Sequence, residues 1–272
     1  MRFFDQDRPE LSRKSCRTAS TFLLVFISTI CVSQGTGHAH EERLFELEYV
    51  SSSPHPQTYF TQGLFFYQDR LYESIGKYGE SALIKYQADN ITPGIQRKLG
   101  DEYFAEGATN HQDSIYQLTW QAGKAFAYQG TMLTPVDGFG YEGEGWGLTS
   151  DGDSLWLSNG TDKLLRLDAN GNKLGEISVH LNGNTVDRLN ELEWINGWIF
   201  ANRWYDTRIY IIDPATGEIV QSLDFTSLAS RELRVDRNNV LNGIAWDPDS
   251  QLLWITGKNW QKFYQFKLHL PK

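Results

Sequence analysis

Hydrophobic and polar positions alternate in short runs along most of the chain, and no stretch after Glu41 has the spacing of a long amphipathic helix. The runs are rich in β-branched and aromatic residues and are separated by Gly, Asp and Asn, which favour turns. This pattern predicts many short strands and an all-β fold.

The predicted strands recur in five copies of one unit. Each copy opens on an apolar residue that follows glycine in all copies but one; the opening pairs are Gly63-Leu64, Gly107-Ala108, Gly147-Leu148, Glu191-Leu192 and Gly243-Ile244. A second and a third strand follow in each copy, such as LYES from Leu71 and ALIKY from Ala82 in the first. Units of three or four strands that repeat about every 40 to 50 residues are typical of β-propeller blades.

Fourth strands are predicted in four of the copies, at GIQRKL from Gly94, YQGTML from Tyr128, KLGEI from Lys173 and EIVQSL from Glu218. The last copy reaches Lys272 without a fourth strand, whereas LFELEYV, from Leu44 to Val50, has no blade of its own. We therefore predict a five-bladed β-propeller, one domain over residues 40–272, in which this N-terminal strand completes the last blade and removes the open edges. A two-sheet sandwich would not explain the fivefold period.

The first 39 residues have a different character. Thr21 to Val32 form a mostly apolar run that follows Arg13, Lys14 and Arg17. Such a run is too short to span a bilayer, but it matches the basic and apolar regions of a secretory signal. We predict a cleavable signal peptide over residues 1–39 and an exported domain, periplasmic or secreted, without stable membrane association. An uncleaved anchor or a buried helix is the alternative.

The net charge and the positions of the cysteines limit the partners and the reactions that the predicted exported domain can have. The chain of 272 residues has a net charge of −9, which disfavours nucleic acid as a partner because nucleic acid is a polyanion. Both cysteines, Cys16 and Cys31, lie in the predicted leader, so thiol chemistry and Cys-ligated zinc are excluded from the rest. The sequence contains no HExxH, GxSxG or phosphate-binding glycine motif. We predict a monomer with no catalytic metal or cofactor. Whether a structural calcium occupies the channel is left open by the sequence.

Polar side chains accompany the opening strand of each copy, where a propeller forms the wall of its central channel. They are Gln62, Glu106, Glu144, Asn190 and Asn242. If they occupy equivalent positions in five blades, they converge on one axis, and such a ring among aromatic residues suits a polar small ligand. Alternatively, these groups only satisfy backbone groups and water in the channel.

Eight segments, in this order, resemble those of one family. They are YFTQGL, LYESIGKYG, IYQLTW, EGWGLTSDG, LNELEWINGWIFANRW, IYIIDPATGEI, VLNGIAWD and TGKNW. Together they resemble the plant- and bacterial-type glutaminyl-peptide cyclotransferases, and the match runs from about Phe45 to Phe266. The resemblance implies a five-bladed propeller that acts on peptides or proteins with an N-terminal Gln, converting that residue to pyroglutamate with release of ammonia.

The resemblance also implies the residues of the site. It assigns acid/base catalysis to Glu106, and it places the amides of Gln62 and Asn190 and the amine of Lys258 in the pocket. Chemically, these three are the donors available to the oxyanion of the tetrahedral intermediate. The aromatic walls of the substrate pocket fall on Phe60, Phe104, Trp120, Trp146 and Trp204. The family commonly has glycine where this chain has Ala105, so a positive φ at that position would change the aim of Glu106. Ordinary packing is the alternative for the five aromatic residues.

Two other functions stay open at this point. A metal-dependent, lactonase-like hydrolase propeller would hold a cation with oxygen ligands from Glu106, Glu144, Asn190 and Asn242, although Lys258 disfavours a cation. A non-catalytic propeller would bind peptides on its top face without turnover.

Overall fold

The computed structural model describes residues 45–87, 91–232 and 236–270, so the predicted signal peptide lies outside the described residues. The described chain is almost entirely β-structure, arranged in five four-stranded antiparallel sheets and one two-stranded hairpin. In these ranges no helix has the length and apolar character needed to cross a membrane.

The first three blades follow one another along the chain, each running from the axis outward. The N-terminal strand β1 (Glu46–Pro54) precedes them. The first blade consists of β2 (Thr61–Tyr67), β3 (Arg70–Ile75), β4 (Ala82–Tyr86) and β5 (Pro93–Lys98). The second consists of β6 (Ala105–His111), β7 (Ser114–Thr119), β8 (Lys124–Gln129) and β9 (Thr134–Gly140). The third consists of β10 (Leu148–Ser150), β11 (Leu155–Ser158), β12 (Lys163–Leu167) and β13 (Lys173–Ser178).

The last two blades complete the ring. A hairpin of β14 (His180–Leu181) and β15 (Asn184–Thr185) leads to the fourth blade. This blade consists of β16 (Leu189–Ile195), β17 (Trp198–Arg203), β18 (Arg208–Ile212) and β19 (Ile219–Asp224). After the short helix α1 (Thr226–Ala229), the fifth blade consists of β20 (Leu241–Asp247), β21 (Leu252–Gly257), β22 (Lys262–His269) and finally β1. Because β1 pairs antiparallel with β22, the predicted five-bladed propeller and its closure by the N-terminal strand are confirmed.

One predicted strand is wrong. The segment YQGTML does not form the fourth strand of the second blade, since Tyr128 belongs to β8 and the fourth strand is β9. A turn occupies residues 130–133, in which Gly130 has a φ of 68° and Leu133 a φ of 53°. The apolar residues Met132 and Leu133 follow this turn glycine closely, which makes the turn resemble the start of a strand.

Side-chain hydrogen bonds hold both ends of β1. At its start, the amide of Gln221 accepts from the backbone N–H of Phe45 (2.8 Å) and donates to the carbonyl of Phe45 (2.7 Å). Just beyond its end, the buried ring of His55 lies 2.7 Å from the carbonyl of Trp260 and 2.9 Å from the carboxylate of Glu73. Burial disfavours the charged ring, but Glu73 outweighs this and raises the pKa of His55. These contacts join β1 to the fourth, fifth and first blades.

The hydrophobic core lies between the blades. Five buried clusters are each formed by two adjacent sheets. The cluster between the fourth and fifth blades contains Phe200 and Ile211 on one side and Ile255 and Phe266 on the other. Both faces of each sheet are covered in this way, and the middle strands are therefore apolar runs. The central axis is lined by residues of the inner strands.

Four glycines and one glutamate surround the axis; they are Gly63, Gly107, Gly147, Gly243 and Glu191. A Cβ on Gly147 would lie 1.9 Å from the carbonyl oxygen of Asn190, so the inner strands approach too closely there for any side chain. Glu191 instead reaches across the axis and accepts from the backbone N–H groups of Leu64 (3.3 Å) and Ile244 (2.9 Å). Burial, with the nearby Glu193, raises the pKa of Glu191 well above its ordinary value.

Replacing Glu191 by glycine, the residue of most other blades, is expected to destabilise the fold. The free energy of unfolding should fall by about 2–6 kcal/mol, because each of two buried N–H groups left unpaired costs about 1–3 kcal/mol. Glu46→Gly, at an exposed position of β1, is the control and should cost only about 1 kcal/mol. Urea denaturation measures both variants. Equal losses would show that the bonds across the axis contribute nothing.

Candidate active site

A cavity of about 340 Å³ is bounded by the beginnings of the inner strands. All nine side chains predicted for the site line it, namely Phe60, Gln62, Phe104, Glu106, Trp120, Trp146, Asn190, Trp204 and Lys258. They come from all five blades, and the volume is in the range typical of small-ligand pockets. The ring therefore brings together residues that are nearly 200 positions apart in the chain.

Irregular pairing aims the polar side chains at this cavity. In four of the inner strands the register shifts at the site position, between Thr61/Gly63, Ala105/Ala108, Leu189/Leu192 and Leu241/Ile244. A β-bulge interrupts strict alternation and redirects a side chain. Gln62, Glu106 and Asn190 lie at three of these irregularities and face the cavity, while the apolar residues that follow stay in the core between blades.

Glu106 is the carboxyl group of the cavity. It is almost fully buried, and the amide nitrogen of Gln62 donates to its Oε1 at 2.9 Å. Burial raises the pKa of Glu106 well above its ordinary value; the positive charge of Lys258 opposes this shift, and Glu144 adds to it. A carboxyl group with a raised pKa holds a proton more readily, so it can both accept and return one during a reaction.

Lys258 follows β21 and supplies the positive charge of the cavity. Its side chain is buried, and Nζ lies 4.9 Å from the centre of the Phe60 ring, which is a cation–π contact. Burial lowers the pKa of Lys258 to about 8, although Glu106 opposes the shift. The ammonium group is therefore charged at neutral pH and loses its proton under mildly alkaline conditions.

The prediction that Glu144 and Asn242 belong to the same polar ring is wrong, since neither lines the cavity. Glu144 lies behind the wall, where one oxygen accepts from the indole N–H of Trp120 (2.8 Å) and of Trp146 (2.9 Å). Burial disfavours its charge, but these hydrogen bonds outweigh burial and lower the pKa of Glu144. Asn242 donates to the backbone carbonyl of Thr61 at 3.0 Å. Both residues support the cavity from outside.

Aromatic rings enclose the cavity edge to face. The ring centres of Phe104 and Trp120 are 5.7 Å apart, and those of Trp146 and Trp204 are 5.5 Å apart with an angle of 86°. Such contacts stabilise the rings in fixed positions. The walls therefore surround Glu106 largely with apolar surface.

Three further residues line the cavity that sequence reasoning did not find; they are Tyr205, Arg237 and Asn238. Tyr205 stacks on Trp204 with ring centres 4.5 Å apart, and its hydroxyl donates to Asn238 at 2.7 Å. They lie outside the strands and have no counterpart in the repeat, so only the position of Tyr205 beside Trp204 could have indicated one of them.

Ala105, which replaces the glycine common in the family, does not have the positive φ that would change the aim of Glu106. Ala105 is buried at the start of β6, and it is not among the described residues with positive φ. Its N–H donates to the hydroxyl of Ser81 at 2.9 Å. The methyl group is therefore accommodated without the backbone change that would alter the aim of Glu106.

Two acceptors in the cavity are unpaired. In the described part of the chain, Oε1 of Gln62 and Oδ1 of Asn190 are buried and have no hydrogen-bond partner. A buried acceptor without a partner is costly, and it favours a ligand that carries N–H groups. No cluster of three or more His, Cys, Asp or Glu side chains with metal-binding geometry occurs among the described residues.

Together, the ring and its cavity define a β-propeller whose aromatic cavity holds a buried carboxyl group, a buried ammonium group and two unpaired acceptors. A family model for glutamine cyclotransferase matches residues 22–268. The chain belongs to the glutamine cyclotransferase family, as the sequence predicted.

Individual proteins of known identity agree with this membership. The chain is 37% identical to a glutaminyl-peptide cyclotransferase of Arabidopsis thaliana over 241 residues, which cover 87% of this chain and 75% of the plant protein. The crystal structure of Myxococcus xanthus glutaminyl cyclase superposes with a TM-score of 0.76 and 33% identity, covering 83% of this chain and 97% of that one. A gluconolactonase of Xanthomonas campestris, at 15% identity and a TM-score of 0.52 over 77% of this chain and 72% of its own, shares the fold alone.

Proposed function

We infer that this family member is a glutaminyl-peptide cyclotransferase, which converts the N-terminal glutaminyl residue of a peptide or protein to pyroglutamate and releases ammonia. One observation carries the mechanism: the buried carboxyl group of Glu106, with its raised pKa, shares an aromatic cavity with two unpaired amide oxygens. Glutamine at a peptide N-terminus has an amine and a carboxamide, and both carry N–H groups that such acceptors bind.

The cavity first folds the substrate. We assign the unpaired oxygens of Gln62 and Asn190 to the N–H groups of the glutaminyl residue, and the tryptophan walls to its aliphatic carbons. The amine and the carboxamide carbon belong to one residue, so a bent conformation brings them within reach. Orientation of this kind contributes a large share of the rate of an intramolecular reaction.

Glu106 then moves one proton twice. The substrate amine reacts as the free base, after its extra ammonium proton has passed to solvent. Its nitrogen attacks the side-chain carboxamide carbon, and the ionised carboxyl group of Glu106 takes the proton that this nitrogen loses on attack. A new C–N bond forms and the carbonyl oxygen becomes an oxyanion. Glu106 returns the proton to the departing nitrogen, the old C–N bond breaks and ammonia leaves. General acid–base catalysis by one group contributes about 10²–10⁴-fold in rate.

Lys258 and Asn190 are the groups that we assign to the oxyanion. The ammonium group of Lys258 supplies a positive charge from a buried position, where such stabilisation is strong. We assign Gln62 a positioning role, because its amide nitrogen donates to Glu106. It positions the carboxyl group, whose second oxygen is left for the substrate.

The reaction consists of acyl transfer and proton transfer without a redox step, and we propose that it needs no metal or cofactor. Purified enzyme incubated with a peptide that begins with Gln should release one ammonia per peptide, seen as the corresponding loss of mass. The same peptide with Gln in second place should be unchanged. An unchanged mass for the first peptide at high enzyme concentration would contradict the proposed activity.

Chelation distinguishes the metal-dependent alternative. Activity should survive prolonged EDTA treatment, because the proposed steps use only side chains of the chain. Loss of activity that a transition metal restores would favour the hydrolase alternative. Recovery with calcium alone, together with recovered thermal stability, would indicate a structural ion.

We propose that the enzyme is exported and acts as a monomer. The predicted signal peptide supports export to the periplasm or the medium. The cavity is lined by all five blades of one chain, so a second subunit is not needed to complete it. Protein recovered outside the cytoplasm should lack about the first 39 residues and elute at the size of one chain. A retained N-terminus or a larger species would contradict this.

A further inference from the structure

A second cleft of about 480 Å³ adjoins the cavity. Phe60, Phe104 and Asn238 line both spaces, so the cleft continues the cavity toward the surface. Its other lining side chains are polar, namely Gln57, Lys77, Asp236, Asn239 and Asn259. The proposed mechanism uses none of these five residues. We call this space the outer cleft.

We propose that the outer cleft binds the second and third residues of the substrate peptide, and that Lys77 makes it prefer acidic over basic side chains there. The proposal rests on the cyclotransferase function. A glutaminyl residue in the cavity has its carbonyl joined to the rest of the peptide, and the outer cleft is the space that adjoins the cavity along Phe60 and Phe104.

Amide side chains make the outer cleft suitable for a peptide backbone. Four of them line it, and each carries both donors and acceptors, as the backbone of a peptide does. Two are held in place: Asn259 donates to the carbonyl of Gln57 at 2.7 Å, and Asn238 accepts from the hydroxyl of Tyr205 at 2.7 Å. Backbone contacts of this kind bind peptides independently of their sequence, so a preference for charge has to come from the charged side chains of the lining, Lys77 and Asp236.

Lys77 combines an unusual backbone conformation with a position at the wall of the outer cleft. Its φ of 92° lies in the region that favours glycine, and such strain often accompanies functional positions. The ammonium group lies 5.3 Å from the centre of the Phe60 ring, which is the wall shared by the cavity and the outer cleft. A glycine at this position would relieve the strain but would remove the charge from the cleft.

The charged side chains in and beside the outer cleft include more cations than anions, although the whole chain is acidic. Lys77 lines the outer cleft together with the carboxylate of Asp236, and Arg237 lines the adjoining cavity. The whole chain has a net charge of −9. At physiological salt, charges beyond about 8 Å are largely screened, so the local cations decide which side chain is attracted. Because Asp236 opposes them, the preference is modest.

The test compares peptides that differ only beyond the first residue. The substrates are glutaminamide, Gln-Ala-Ala-Ala-amide, and the same tetrapeptide with Asp or Lys at position two or three. The enzymes are the wild type, Lys77→Gly, Lys77→Glu and a control, Lys98→Ala, which removes an exposed lysine from the outer strand of the same blade. Glycine suits the backbone of residue 77, so that variant should fold, and its melting temperature checks this.

For the wild type, kcat/KM should be about tenfold higher for the tetrapeptide than for glutaminamide, and about threefold to tenfold higher for the Asp peptide than for the Lys peptide. Lys77→Gly should remove the preference for Asp, Lys77→Glu should reverse it, and Lys98→Ala should keep it. An equal kcat/KM for glutaminamide and the tetrapeptide would overturn the subsite, and an unchanged ratio in both Lys77 variants would overturn the role of Lys77. If the wild type cyclises none of the substrates, the proposed function fails and this inference fails with it.

Discussion

Replacing Glu106 by Gln is expected to lower kcat at least about 100-fold, because the amide keeps the size of the side chain but cannot take up a proton. Substrate binding should change little, since the aromatic walls and the acceptor of Asn190 remain. Steady-state kinetics with a Gln peptide give kcat and KM separately. The same measurement at several pH values adds a second check. In the wild type, kcat/KM should rise with pH through the raised pKa of Glu106, because only the ionised carboxylate accepts a proton.

Glu144→Gln is the matched control for this substitution. Its carboxylate lies behind the wall and accepts from Trp120 and Trp146, so its loss should disturb the walls and reduce kcat/KM less than about tenfold. Near-normal kcat in Glu106→Gln together with an inactive Glu144→Gln would contradict our assignment. The catalytic carboxylate would then belong to the third blade.

Replacing Lys258 by Met is expected to lower kcat by about 10²–10³-fold, the usual effect of removing one group that stabilises an oxyanion. Methionine keeps much of the length of the side chain and its contact with Phe60, so a loss in kcat reports on the charge. The pH profile should change as well. Wild-type activity should fall as pH rises through about 8, because the ammonium form is lost there. The variant should lack this fall.

Lys98→Met is the control for the lost charge, since Lys98 is exposed on the outer strand of the first blade and should be replaceable without effect. If Lys258→Met keeps both its kcat and its decline at high pH, Lys258 has no part in the chemistry. The oxyanion would then depend on Asn190 alone.

Much of the site could be predicted because the family resemblance fixes residue types at positions along the chain. All nine side chains assigned in this way line one cavity. Reasoning from the repeat alone went wrong in the third blade. In the other blades the polar residue stands two positions before the apolar opening residue, as Gln62 does before Leu64. In the third blade that position is occupied by Trp146, and Glu144 lies behind the wall. A period shows which segments are equivalent, but it cannot show which residue of a segment faces the axis.

The sequence by itself determined the all-β class, the five blades and the closing strand, because alternation and a regular period are local properties of the chain. Local patterns also have limits that the second blade makes clear. The turn at residues 130–133 carries apolar residues, and only pairing between β8 and β9 distinguishes it from a strand.

Only the tertiary structure decided which groups meet and how they ionise. The bulges that aim Glu106 and Asn190 depend on pairing with a neighbouring strand, which no local pattern encodes. The raised pKa of Glu106 and the lowered pKa of Lys258 arise from burial by walls that several blades supply. Glu191 looks like an exception to a glycine pattern, yet in the closed ring its carboxyl group joins three blades. Desolvation and contacts across the axis exist only after the ring closes, so they are properties of the fold.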